Sequence, residues 1–265
     1  MPNLDIYCFT HIPLYGLENL GYKIAGIKKN EFPKNYFTAD SGENIIEKEK
    51  YYSEYVFHYW FWKNKLKDYK SDDWLGFCQK RRFWLQKSID IKPQNFNELK
   101  NIVLKTVPKE WNNYNSVIQP AMILKEKKMV MIKRGFKSLI KNPTIFFNKN
   151  KHTIKLHFDM HHGYGNLDKA INVMNINDRE DFRDYVNNNV EFSANNMFIA
   201  KKDIAEKWFN DVFTWLFACE KVIGFENLKG YETRIYAYLA ERYLSFWFNK
   251  YTQSIKWPWV FADLK

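Results

Sequence analysis

Cysteine is scarce in this sequence. Cys8, Cys78 and Cys219 are an odd number, far apart and without metal-ligand spacing, so neither a disulfide framework nor a structural zinc site is expected. No stretch approaches the roughly 18 consecutive apolar residues of a membrane-spanning helix. The N-terminus MPNLDIYCFTHIPLYG has no basic region ahead of an apolar core, so no signal peptide is read there either. A reducing, cytoplasmic setting is the expectation. Also missing are a P-loop, GxGxxG, GxSxG and HExxH, which leaves kinase, Rossmann dehydrogenase, α/β-hydrolase and zincin readings without their usual support.

What is present is a chain of 265 residues, 46% hydrophobic and 18% aromatic, long enough to bury a real core. Trp, Tyr and Phe pack cores, and their flat faces also line sugar and nucleotide sites. The formal charge of +11 accompanies an abundance of Lys, Asn, Ile, Phe and Tyr that an AT-rich coding sequence would also produce, so charge alone does not point to nucleic acid. Its distribution says more. Residues 125–151, KEKKMVMIKRGFKSLIKNPTIFFNKNK, hold nine Lys/Arg against one Glu. With Val130, Met131, Ile132, Phe136, Leu139, Ile140, Phe146 and Phe147 among these cations, the segment suits an anionic membrane surface. Alternatively, its apolar side packs on the domain.

The spacing of apolar residues predicts a first strand over residues 4–10, followed by a long loop system reaching TADSGENI; loops of that length are commonly functional. From Ile46 to about Lys67 the residues Tyr52, Tyr55, Val56, Tyr59, Trp60 and Trp62 recur at helical intervals. A strand from Trp74 to Cys78, a helix over 94–107, a strand ending near Pro120 and helices within 166–189 come next. Met197–Ile199 form a short strand leading into a helix that runs to about Ile223, and a last helix spans 231–250. Strands separated by helices give an α/β fold. KWPWVFADLK ends the sequence without a clear cap, as one module of a longer polypeptide would.

In an open α/β sheet, ligands bind outside the carboxyl ends of the strands. At that place stands QKRR, where Lys80, Arg81 and Arg82 follow the buried strand Trp74–Cys78 directly. Guanidinium groups are planar, permanently charged forks that suit phosphate, and a pair can neutralise a diphosphate as a divalent cation would. The plainer reading pairs them with Asp72, Asp73 or Glu54. HFDMHHG, residues 157–163, gathers His157, Asp159, His161 and His162; as a strand it would set His157, Asp159 and His161 on one face, whereas a polar loop before a helix capped near Asn166 is the plainer reading. Ser41, Glu43 and Asn44 suit either a helix entry or polar ligand contacts. Arg234, Glu241 and Arg242 are charges in a largely apolar helix, placed for a ligand or for an intrahelical ion-pair ladder.

Taken in order, several stretches resemble one family, the bacterial capsular and exopolysaccharide glycosyltransferases grouped as domain of unknown function 4422. They are Gly42-Glu43-Asn44-Ile45, Tyr52-Ser53-Glu54, Tyr59-Trp60-Phe61-Trp62-Lys63-Asn64, Gln79-Lys80-Arg81-Arg82-Phe83-Trp84, Asn196-Met197-Phe198-Ile199, Trp215-Leu216-Phe217, and Arg234 with Glu241-Arg242. Gln79-Lys80 replaces the family's His-Tyr, and residues 125–151 look like an insertion. The resemblance implies a GT-A-like single domain over residues 1–265, with a central mixed sheet flanked by helices and a basic insertion. It also implies transfer of a sugar from a nucleotide-diphosphate donor, a UDP-sugar and in some members UDP-galactofuranose, to a capsular or surface glycan acceptor. GT-A enzymes normally end the corresponding strand in a metal-binding DxD. Here Lys80, Arg81 and Arg82 are the expected diphosphate ligands in its place, so no cofactor is required, with Mn²⁺ or Mg²⁺ on Asp159 and His161 as the fallback. Asp159, His162 and Glu232 are the candidate bases. Thr10, His11, Gly42, Glu43, Asn44, Trp60, Lys63, Asn196, Arg234, Glu241 and Arg242 are assigned to a donor or acceptor pocket. Transfer of another activated group to capsular sugar, or nucleic-acid binding without catalysis, are the alternatives; against the latter stand the concentration of charge in one segment and the lack of a nucleic-acid motif.

Overall fold

The computed structural model describes residues 2–90, 92–124, 128–226 and 228–264. Its strands in chain order are β1 (Leu4–Phe9), β2 (Lys23–Gly26), β3 (Phe37–Thr38), β4 (Trp74–Gln79), β5 (Arg82–Trp84), β6 (Ser116–Ile118), β7 (Met122–Ile123), β8 (Glu191–Phe192), β9 (Phe198–Lys201), β10 (Ser254–Lys256) and β11 (Trp259–Phe261). The α-helices are α1 (Glu49–Tyr52), α2 (Tyr55–Asn64), α3 (Phe96–Ile102), α4 (Lys128–Arg134), α5 (Phe136–Lys141), α6 (Ile154–His162), α7 (Asn166–Asn172), α8 (Ile176–Asn188), α9 (Lys202–Ile223) and α10 (Ile235–Tyr251). The chain divides into two compact units: Met1–Pro120 with Asn195–Asn210 and Trp247–Lys265, and Ala121–Ala194 with Asp211–Phe246.

The first unit is built on a nine-stranded mixed sheet in the order β10-β6-β9-β4-β1-β2-β3, with β5 on β4 and β11 on β5. β4 is central, parallel to β1 from Leu4↔Trp74 to Phe9↔Gln79 and antiparallel to β9 from Trp74↔Lys201 to Phe77↔Phe198. Buried on both faces, it reads as a continuous apolar run. Against it lies α2, whose residues Tyr55 to Phe61 are all buried, which explains why its apolar periodicity extends around the helix. Phe77 sits among the rings of Phe61, Phe198, Phe209 and His58, with centroids 4.8–5.5 Å away.

Two sequence expectations are corrected here. The helix expected over 46–67 is broken at Ser53, whose φ of 51° ends α1 and lets Glu54 open α2. The helix expected over 94–107 is shorter because Asn95 and Glu98 cap its start reciprocally (Glu98 N to Asn95 Oδ1, 2.9 Å), while Val103 is already extended and bridges Leu85.

His58 gives the unit an acid limit. Burial holds its imidazole at about 3, below the ordinary 6.5. Above pH 6.5 both folded and unfolded chains carry it neutral; below, only the unfolded chain takes the proton. This one group should therefore remove about 1.4 kcal/mol of stability per pH unit between roughly 6.5 and 3. In urea melts across that range His58→Phe should show a shallower acid slope than wild type, and an identical slope would contradict the assignment.

The second unit packs α6, α7 and α8 with Asp211–Phe246 and the β7–β8 ribbon. Phe182 anchors it against Trp215, Tyr243 and Phe246 (5.8, 5.6 and 5.2 Å). Two buried polar tips are satisfied: Trp215 Nε1 donates to Ala170 O at 2.8 Å and Tyr243 OH to Asp178 at 2.7 Å. Residues 157–162 are helix rather than strand or loop, capped at Thr153, whose side chain accepts from Leu156 N. The face expected to join His157, Asp159 and His161 is thereby lost: at helical spacing His157 and His161 stack (4.6 Å), while Asp159 points elsewhere.

Candidate active site

Because β1 to β4 are parallel, the segments after β1, β3 and β4 emerge at one edge of the sheet. Lys80 N donates to Phe9 O (2.8 Å) and Thr10 N to Ala25 O (2.9 Å), so both strand ends are fixed into the ladder. β4 then reverses through Lys80 and Arg81 into β5, with Gln79 paired to Arg82. Arg81, second of the two turn residues, has φ 77°, a position usually left to glycine or asparagine. Arg82 Nη1 donates to Gln79 Oε1 at 3.0 Å, and Arg81 reaches exposed Asp263 at 3.5 Å. Half-buried Lys80 makes no side-chain bond among the described residues. Pairing with Asp72, Asp73 or Glu54 does not occur: Asp73 accepts instead from Asn3 N and Lys70 N, at the other end of β4.

Behind the turn lies a buried polar network. Glu54 Oε1 accepts from Gln79 Nε2 (2.6 Å) and Asn196 Nδ2 (2.7 Å), and Tyr55 OH donates to Asn196 Oδ1 (3.1 Å). Gln79 Nε2 also reaches Asn195 O (3.1 Å), and Asn195 Nδ2 reaches Gln119 Oε1 (3.2 Å). Glu54 is 7% exposed and Asn196 5%. Among the described residues, the non-glycine residues with positive φ are Ser53, Arg81, Asn195 and Asn196, and all belong to this network or its flanks. Each such backbone costs on the order of 1–3 kcal/mol and persists only where the surroundings impose it. Glu54, Tyr55, Gln79 and Asn195 were not among the site residues expected from sequence; the available signal was Glu54, a carboxylate opening an otherwise apolar helix.

Thr10 is buried, its hydroxyl donating to Ile12 O (2.5 Å). His11 lies between Glu49 (Nδ1, 3.2 Å) and Ser53 (Nε2, 3.1 Å). The loop after β3 is clamped by Asn64, which accepts from Glu43 N (3.1 Å) and donates to Glu43 O and Trp60 O (2.8 Å each). A Cβ at Gly42, φ 56°, would lie 2.1 Å from Asn64 Oδ1, so only glycine fits. Glu43 takes Tyr59 OH (2.7 Å) and faces Lys63 (3.7 Å), Trp60 Nε1 donates to Ser41 (3.0 Å), and Asn44 turns back onto Gly42 O and Ile46 N. Gly42, Glu43, Asn44, Trp60 and Lys63 thus fix the loop to α2.

Asp159, His161, His162, Glu232, Arg234, Glu241 and Arg242 belong to the second unit. Asp159, His161 and Glu232 line a cleft of about 470 Å³ with Arg134, Lys137 and Tyr164. Burial raises the Asp159 carboxyl against the opposing pull of Lys155, 3.1 Å away. His162 does not line that cleft: it is buried, stacked on Tyr238 (3.8 Å), and driven below the usual imidazole range by burial and then by the charge of Arg242. Arg242 is itself buried, paired with Glu241, 2.9 Å from His157 Nδ1 and over the ring of Phe192. Arg234 is exposed. A GT-A fold raises the question of a metal. The Asp159–His161 pair does not fit one: although both line the cleft, each already faces a cation, Asp159 bonded to Lys155 and His161 Nδ1 3.0 Å from the Arg134 guanidinium.

The mixed α/β fold with a central sheet flanked by helices is GT-A-like and matches WbbM, a bifunctional glycosyltransferase solved in its apo form. The TM-score is 0.69 at 17% identity, covering 98% of this chain and 45% of WbbM, so the chain spans less than half of that protein. Core-mannan synthase A from Aspergillus fumigatus in its Mn/GDP form (13% identity, TM-score 0.30, 84% of this chain and 69% of that one) aligns too remotely to carry an argument. So does the mannosyltransferase Ktr4p from S. cerevisiae (10%, TM-score 0.25, 79% and 60%). Among curated proteins nothing matches. The family described as Domain of unknown function (DUF4422) matches residues 5–253, nearly the full length, and the chain belongs to it.

Proposed function

We propose that the chain is a glycosyltransferase that moves a hexosyl group from a nucleotide-diphosphate sugar, a UDP-sugar such as UDP-galactofuranose, to a capsular or surface polysaccharide acceptor in the cytoplasm. The observation that carries this reading is the cationic turn at the carboxyl edge of β4, held by a strained hydrogen-bonded network centred on Glu54. Lys80, Arg81 and Arg82 would lie along the donor diphosphate. As the glycosidic bond breaks, negative charge builds on the leaving nucleoside diphosphate; cations fixed in advance stabilise it without reorganising. Their combined charge serves where GT-A enzymes commonly use a divalent ion, so transfer is metal-independent in this account.

Glu54 is the positioning residue of the network, acting through Gln79, which in turn receives Arg82. For the proton of the acceptor hydroxyl we favour Asp159, whose raised pKa suits a base, with Glu232 on the same cleft and buried His162 behind them. Asp159→Ala with undiminished kcat would remove Asp159 from this role.

The direct test is turnover of a UDP-sugar in excess EDTA. Activity should be unchanged by the chelator. Abolition by EDTA with recovery on Mn²⁺ would show that the cationic turn does not replace a metal.

A further inference from the structure

The basic insertion has an inward and an outward apolar face. The helical winding of α4 continues through Gly135 into α5, since Gly135 N bonds Met131 O (2.8 Å) and Leu139 N bonds Gly135 O (2.9 Å). Inward, buried Met131 packs on Leu156 and Met160, with Leu139 and Ile145 against them. A Cβ at Gly135 would meet Met131 O at 2.7 Å and Met160 Sδ at 3.1 Å, so the run lies close on α6. The packing expected as the alternative to membrane contact is therefore real, but it uses only one face.

Outward stand Met129, Ile132, Phe136 and Ile140, 62, 48, 61 and 66% exposed, and beyond them Phe147 at 81%. Steps of three, four and four residues place the first four on one helical stripe. Lys128 flanks it on one side, Lys133 and Lys137 on the other, and all three are exposed. Residues 128–151 contain seven Lys/Arg and no carboxylate. Soluble surfaces rarely leave such a continuous apolar patch open.

We propose that this outward stripe lies on an anionic phospholipid surface, its apolar side chains at the boundary of headgroups and acyl chains and its lysines among the anionic headgroups. Charge complementarity selects the partner: cations border the stripe on both sides, and residues 128–151 hold no acid that a second copy of these helices could use to pair with them. Among the described residues no helix is long and apolar enough to cross a membrane. This inference rests on the surface alone and not on the proposed reaction.

The test is co-sedimentation of the full chain with phosphatidylcholine vesicles and with vesicles of equal parts phosphatidylcholine and phosphatidylglycerol. Binding is expected only to the second kind, and should weaken as salt is raised. Phe136→Ser/Ile140→Ser should lower the partition coefficient more than tenfold, and Lys128→Gln/Lys133→Gln by about twenty-five-fold, from roughly fivefold per cation. Both pairs are exposed, and unchanged circular dichroism melts would confirm that the fold is kept. Equal binding to the two kinds of vesicle, or binding indifferent to both pairs of substitutions, would overturn the proposal. So would absence of vesicle binding together with a concentration-dependent dimer that Phe136→Ser/Ile140→Ser abolishes, which would assign the face to a second copy.

Discussion

Replacing Arg81 and Arg82 together by alanine is expected to lower kcat for sugar transfer about a thousandfold or more, with the melting temperature little changed. One preorganised donor at a developing charge is commonly worth a hundred- to a thousandfold, and this variant removes two permanent cations from the same turn. Arg81 offers a finer separation. At φ 77° a side chain is strained where glycine is not, so Arg81→Gly should raise the melting temperature by roughly 2–4 °C, from about 1 kcal/mol of relieved strain, while still depressing transfer. Stability and activity moving in opposite directions is the signature of strain retained for function. A variant of full activity would return the turn to the status of an ordinary hairpin.

Phe77→Ala is expected to be the most damaging single change to the fold, at about 3–5 kcal/mol. Phe77 is 1% exposed and ringed by five aromatic groups, those of Tyr7, His58, Phe61, Phe198 and Phe209. These groups come from β1, α2, β9 and α9, which cannot all close on the space left by a lost ring. Because Phe77 precedes Gln79 on the strand that ends in the cationic turn, the variant should also lose donor affinity before it unfolds globally. Urea denaturation gives the magnitude; a loss below about 1 kcal/mol would mean that the cluster repacks and that β4 is not held as described.

Much of this architecture was legible in the sequence, for reasons that differ by element. β4 and β9 are buried on both faces and read as unbroken apolar runs, and α9 and α10 are long enough for their period to repeat. β2, β3, β5, β10 and β11, of two to four residues, leave too short a pattern, and β5 was read only as the basic edge that follows β4. Residues 157–162 are ambiguous in sequence because a polar alternation of period two and a His157–His161 pair at i, i+4 coexist in so short a stretch. The capping residue Thr153 was the cue that decides between them.

In the candidate site, the place of QKRR followed from its position after a buried strand, but its support did not. Glu54 is bonded to Asn196, 142 residues away, and no local pattern announces such a contact. Nor does any local rule anticipate positive φ at Ser53 or Arg81, where the surroundings and not the residue type fix the backbone. Of the charges in α10, Arg242 and Glu241 took the ion-pair reading.

Whether the cationic turn binds the donor without metal is decided by calorimetric titration of UDP into the wild-type chain in EDTA, repeated with Mn²⁺ and with the Arg81→Ala/Arg82→Ala variant. Binding without metal is expected, unstrengthened by Mn²⁺ and abolished by the double substitution. Binding that appears only with Mn²⁺, or no UDP binding in either condition, would contradict it.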